Sequence, residues 1–267
     1  MTLLRAMLEA HDDLHIPPET FVLGTVVRDF RRYSRLPWSV LLGMILAQFE
    51  FHPHWHTWEI TLGALFRELE RQPPDERNLA AVLDGVYRAH LTRYKPSAIR
   101  WGDKTPRNTF VLRELRAVFP DLQVVHMIRD GRDVVESLGR LADRDLSCLA
   151  RHWLDSVRVA QTFGAHYGSQ YLEVRYEDLV RQPEKTLRAI VAFLEHRFEE
   201  RMLRHHELGL ALGDVERRPH LQGVRAAVHQ NSIGRWRTTF NSSQVDTLER
   251  LLSPMLVALG YADGGGR

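Results

Sequence analysis

The chain predicts an α/β fold of three layers, with a mostly parallel sheet flanked by helices, and three observations lead there. Short apolar runs alternate with amphipathic stretches of helical period. The clearest run, Val124 to Ile128, reads as a strand buried on both faces, as in a parallel sheet. Charged residues follow the strand ends at once, in "MIRDGRD", "RWGDKTP" and "VRYEDL". Only two or three strands are evident, where such a sheet normally needs at least four.

A first amphipathic helix covers about residues 2 to 11, and "DDLHIPPET" is the loop after it. Residues 21 to 69 are helical and aromatic, with turns at Leu36-Pro37 and His52-Pro53. "RQPPDE" is the plainest break, and "RNLAAVLDGVYRAHLTRY" behind it has helical periodicity. "IRWGDKTPRNT" is a strand end that runs into a proline-opened helix, with Phe110, Leu112, Leu115 and Val118 apolar. After Val124 to Ile128, Asp130 is placed to cap a helix reaching about Leu141, and Gly131 permits a tight exit from the strand. Ser147 to Tyr167 is a longer helix, and "QYLEVRYEDL" a second strand. "PEKTLRAIVAFLE" carries its apolar face on Leu187, Ile190, Val191 and Leu194. "LGLALGDVERRPHLQG" reads as a mobile segment, the final helix as interrupted near Pro254, and "DGGGR" as a frayed tail.

The length of 267 residues suits one α/β domain with inserted loops, or at most two small ones. The chain is taken as one domain, residues 1–267, with 21–94 as a mainly helical acceptor-side region. A formal charge of +2 suits a small anionic ligand but is too weak for a nucleic-acid surface. One cysteine, Cys148, excludes an intrachain disulfide, fits a reducing cytoplasm, and reads as a small packed residue. No apolar run approaches the ~18 residues of a membrane span.

The charged strand ends carry the chemistry. In "VVHMIRDGRDVVES", Arg129 stands beside a helix N-terminus, where free N–H groups attract phosphate, and Ser137 adds a hydroxyl two turns on. The alternative is a surface turn of mutual ion pairs. Lys104 lies at another carboxyl sheet edge and suits a transferring oxyanion group; alternatively it is solvated and paired with Asp103. Glu19, in "PPET", is a candidate general base, or else a helix-start glutamate. His52, His54 and His56 alternate as metal ligands on a strand would, but Pro53 argues against that strand, so an acceptor-side or surface loop is favoured over a metal. "RHHE", 204 to 207, reads as a solvated helix face.

Together, "TLLRAMLEAHDDLHIPPET", "WGDKTPRNTFVLRELRAVFPD", "HMIRDGRDVVESL", "VRYEDLVRQPEKTLRAIVAFL" and "IGRWRTTF…LLSPMLVALGY" resemble, in order and spacing, the sulfotransferases that use 3′-phosphoadenosine 5′-phosphosulfate. The likeness is strongest to the bacterial branch related to protein-tyrosine sulfotransferases, and Lys104 through Ser137 is its most specific part. It implies that Arg129 and Ser137 hold the donor's 3′-phosphate, and that Tyr176 meets the adenosine end. It implies Glu19 as base for the acceptor hydroxyl, Lys104 as the charge-stabilising residue at the sulfuryl group, and Arg235 as a late basic residue of the donor pocket. The reaction implied is an in-line displacement at sulfur, with no metal and no covalent intermediate. The acceptor is a hydroxyl on a peptide tyrosine, a carbohydrate, a lipid or a natural product, and a homodimer stays open.

Members of this family begin with a buried strand and a P-loop-like "R-S-G-T-T" loop that cradles the 5′-phosphosulfate. Here only Thr2 matches that loop. The expectation is therefore either a start further upstream than Met1 or a catalytically impaired nucleotide-binding remnant. A nucleotide kinase is the third reading, opposed by the lack of G-x-x-x-x-G-K-[ST].

Overall fold

The computed structural model describes residues 2–140, 144–209, 213, 215 and 223–262. The chain forms two compact units, Met1–Leu122 with Arg197–Ala227 and Gln123–His196 with Val228–Arg267. The end of the helix expected near Leu141, part of the 208–223 segment and the tail at 263–267 lie outside the described residues. The fold is α/β with parallel strands, and the described strands form two parallel pairs, one in each unit.

In the first unit α1 (Thr2–Glu9) leads to β1 (Leu14–His15), and four helices follow: α2 (Leu23–Arg32), α3 (Trp38–Glu50), α4 (Gly63–Glu70) and α5 (Leu79–Tyr94). β2 (Arg100–Trp101) and α6 (Leu112–Val118) complete the part before residue 122. Helix α1 stops at Glu9, two residues before the expected end. Lys95 Nζ caps that end by donating to the carbonyl oxygens of Glu9, His11 and Leu14. Asn78 caps α5, accepting from Ala81 N at 2.9 Å. Residues 21–94 are mainly helical, as expected, and bury Leu42, Ile45, Phe49, Leu83 and Val86 in one core. Each such side chain contributes roughly 1.5–3 kcal/mol of burial. An aromatic column runs through that core: Trp55 stacks on Trp58 at 4.8 Å, Trp58 meets Tyr87 edge-on, and Tyr87 stacks on Trp101 at 4.1 Å.

The second unit opens with β3 (Val124–Ile128), as predicted, followed by α7 (Gly131–Gly139), α8 (Leu146–His166) and β4 (Tyr171–Arg175). Then come α9 (Tyr176–Arg181), α10 (Pro183–Phe193), α11 (Trp236–Thr239) and α12 (Ser242–Ala258). β3 and β4 pair in parallel from Val124↔Tyr171 to Ile128↔Arg175. Only Ile128 of β3 is fully buried, not the whole strand as its apolar run suggested. β3 has a partner strand on one edge alone among the described residues, so its other edge is left without a strand there. Pro254 sits inside α12 without ending it. Leu248, Leu252 and Leu256 line one side of that helix, and their burial outweighs the missing backbone hydrogen bond.

Asp130 caps α7 as expected, accepting from Arg132 N at 2.9 Å. Gly131 is required for space. A Cβ there would lie 2.8–2.9 Å from ring atoms of Trp153 on α8. Gly131→Ala should therefore destabilise the protein by about 1–3 kcal/mol through overpacking, read as a lower midpoint of urea unfolding; an unchanged midpoint would show that α8 gives way freely.

Candidate active-site residues

β1 and β2 run parallel with Leu14 beside Arg100 and His15 beside Trp101. Both chains therefore leave the pair at the same edge, extended by Gly102 N donating to His15 O at 2.9 Å. Glu19 lies four residues past β1 and Lys104 three past β2. The structure brings them together: Lys104 Nζ donates to Glu19 Oε1, with side chains only 15% and 10% exposed. Glu19 precedes α2 by four residues, so it is not a helix-start glutamate.

Asp103 is not the partner of Lys104. Its buried carboxylate accepts from Tyr87 Oη at 2.6 Å, Asn108 Nδ2 at 2.5 Å and Thr20 Oγ1 at 3.3 Å. Thr20 N donates in turn to Thr105 Oγ1 at 3.1 Å. Asp103 thus bolts the Glu19 loop to the Lys104 loop, flanked by residues that sequence reading passed over. Burial pushes the Asp103 carboxyl above its ordinary range and raises the Tyr87 phenol, the latter helped by the neighbouring Asp103 charge. Thr2 stands at the start of α1, half-buried.

In the second unit the same geometry recurs. Arg129 and Tyr176 directly follow the last paired residues of β3 and β4, so register sets them side by side. The Arg129 guanidinium lies 4.9 Å from the Tyr176 ring centroid, donates from Nη2 to Ser232 O, and approaches Asp133 Oδ2 at 3.9 Å. Its Nε is buried with no acceptor among the described residues. A buried, unpaired guanidinium N–H costs several kcal/mol less once an anion accepts from it. Ser137 is half-buried on α7, one turn beyond Asp133. Asp133, fully buried and not anticipated, accepts from Gly234 N at 2.7 Å and Trp236 N at 3.1 Å. This ties the "IGRWR" stretch to α7, where Arg235 faces Glu136 at 3.9 Å. Arg129, Ser137, Tyr176 and Arg235 therefore all belong to one unit.

The histidines behave otherwise than alternating ligands. His52 and His54 pack their rings on Phe21 at 5.9 and 5.1 Å, and His56 Nδ1 lies 2.8 Å from Pro53 O. The "RHHE" stretch is not a solvated face: His205 is buried and bonds the Val224 carbonyl through Nε2 at 3.0 Å. Cys148, expected to be packed, is exposed in the first turn of α8. No helix among the described residues is long and apolar enough to cross a membrane.

The model of the Sulfotransferase family matches residues 2–200, about three quarters of the chain. The chain belongs to the sulfotransferase family. It is 27% identical over 278 aligned residues to protein-tyrosine sulfotransferase 1 of Danio rerio, covering 97% of this chain and 68% of the relative. A putative protein-tyrosine sulfotransferase of Caenorhabditis briggsae is 25% identical, with 97% and 84% covered. Among solved structures, the sulfotransferase domain from the Synechococcus PCC 7002 olefin synthase matches with a TM-score of 0.59 at 24% identity, covering 94% of this chain and 90% of that one. The sulfotransferase domain from the curacin biosynthetic pathway matches with a TM-score of 0.56 at 18% identity, covering 94% and 93%. These neighbours establish the fold, and the family establishes an enzyme of sulfuryl transfer.

Beneath Glu19, the His90 ring is buried against His15 and Trp58. Burial first, then the neighbouring His15 and Arg5, hold its pKa down to about 3. The neutral form is thus favoured in the folded state, so His90 contributes stability above 6.5 that is lost as pH falls from 6.5 toward 3. His90→Gln should flatten the pH dependence of the unfolding free energy across that window by up to about 1.4 kcal/mol per pH unit. Denaturant melts at stepped pH measure it, and parallel slopes for the two proteins would refute it.

Proposed function

We propose that the sulfuryl donor is 3′-phosphoadenosine 5′-phosphosulfate and that the acceptor is a hydroxyl deprotonated by Glu19. The Glu19–Lys104 pair at the carboxyl edge of β1 and β2 is the observation that carries this reading. Lys104 Nζ donates to Glu19 Oε1 and so fixes the carboxylate at the strand edge. As the acceptor oxygen bonds to sulfur, Glu19 takes its proton, and the S–O bond to the nucleotide phosphate breaks. Lys104 then stabilises the charge that builds on the departing oxygen.

The donor's 3′-phosphate falls to Arg129 and Ser137, supported by the unpaired Arg129 Nε, and the adenosine end to Tyr176. Arg235 adds a basic group to the same unit, and Thr2, at the start of α1, is the residue assigned to the 5′-phosphosulfate. We read 1–267 as one sulfotransferase-like domain with 21–94 on the acceptor side. The scheme uses no metal. The exposed thiol of Cys148 suits a reducing cytoplasm.

A tyrosyl peptide is the first acceptor to test, because protein-tyrosine sulfotransferases are among the relatives. Glu19→Gln should lower kcat by ~100-fold or more while the donor KM holds. Arg129→Ala should instead raise the donor KM by about 2 kcal/mol, roughly 30-fold. Calorimetric titration with 3′-phosphoadenosine 5′-phosphate gives a direct check. No heat of binding would defeat the donor assignment; binding with no transfer to any hydroxyl acceptor would indicate an impaired remnant.

A further inference from the structure

Between β1 and Glu19 the chain reads Ile16-Pro17-Pro18, and the two prolines have no N–H. This stretch cannot be tied down by its own amides beyond Ile16. Side chains do it instead. Glu9 Oε2 accepts from Ile16 N at 2.6 Å, Arg5 Nε donates to Ile16 O at 2.9 Å, and Trp58 Nε1 donates to Pro18 O at 3.1 Å. The two outer ties are joined through a buried chain. Glu9 Oε1 meets His15 Nδ1 at 3.0 Å, His15 Nε2 meets His90 Nδ1 at 2.8 Å, and the Trp58 ring packs edge-on against His90 at 4.8 Å.

The Glu9 carboxylate oxygen accepts from His15 Nδ1, and His15 Nε2 shares one hydrogen with His90 Nδ1. The chain runs unbroken from α5 to the peptide of Ile16. We infer that Glu9, His15, His90 and Trp58 are positioning residues for Glu19, forming one buried brace under the loop that carries it. The inference rests on Glu19 being the general base. The brace touches no reacting atom. It holds both ends of a loop that has few backbone ties of its own, and so fixes where the carboxylate stands relative to Lys104. An error of about 1 Å in such a group costs on the order of 100-fold in rate.

The test compares four variants with the wild type in steady-state sulfuryl transfer. Trp58→Phe keeps an aromatic ring while removing the N–H to Pro18 together with the second ring of the indole, so its kcat is read against its Tm. His15→Leu breaks the chain, and His15→Asn keeps a donor where Nδ1 stood. Glu19→Gln is the reference. Trp58→Phe and His15→Leu should each lower kcat by ~10-fold or more with the donor KM within ~2-fold, and His15→Asn should recover most of the loss. Hydrogen exchange of residues 14–20 should quicken in the two damaging variants and remain near wild type in His15→Asn.

Wild-type kcat in Trp58→Phe and His15→Leu, alongside a collapsed Glu19→Gln, would overturn the brace and leave the base standing. Full activity in Glu19→Gln would remove the base and the brace with it. Equal losses in His15→Leu and His15→Asn that follow the fall in Tm would make the network purely structural and also overturn the inference. If His15→Leu fails to fold, Trp58→Phe decides the matter through the same kcat and exchange readouts.

Discussion

Parallel pairing in register is the constraint on which both sets of candidate residues depend. Two strands that run the same way release their chains at the same edge, so residues just past them become neighbours however far apart they are in sequence. Arg129 and Tyr176 meet because Ile128 is paired with Arg175. Glu19 and Lys104, 85 residues apart, meet because Leu14 and His15 are paired with Arg100 and Trp101. The second case is more demanding, since a pair of two residues per strand is marginal on its own. Most of the rigidity there has to come from side chains.

Buried carboxylates supply it. An ionised carboxylate offers only acceptors, and burying one is costly unless several donors converge on it. Asp103 gathers a phenol, an amide and a hydroxyl from three segments. Asp133 gathers two backbone N–H groups that fix the approach to α11. Removing one such carboxylate strands all its donors at once, so these positions hold loops more firmly than an apolar contact of equal area. Glu19 differs from them in meeting a flexible ammonium that can reorganise.

Much of this was legible in the residues. β3, α8 and α10 follow from periodicity, and the Asp130 cap follows from its place before Gly131. The roles of Glu19, Lys104 and Arg129 came from a family likeness that periodicity alone would not have singled out. β1 was hidden, because two residues inside "DDLHIPPET" carry no alternation to detect. "RYEDL" looked like strand, yet α9 begins at Tyr176, where Glu177 and Asp178 suit a first helical turn. The alternative of Lys104 paired with the adjacent Asp103 fails because neighbouring side chains of an extended segment point to opposite sides. The real partners of Asp103 come from Tyr87, Asn108 and Thr20, and no local pattern announces long-range hydrogen bonds of that kind.

If Glu19 is the base and Lys104 the residue at the sulfuryl group, as proposed above, one lysine touches both halves of the reaction. In the free protein its ammonium donates to the Glu19 carboxylate, with both side chains largely shielded from solvent. An anionic donor would offer that ammonium a second acceptor, and a flexible point charge on a four-carbon stem can reach from one to the other, which a planar guanidinium does less readily.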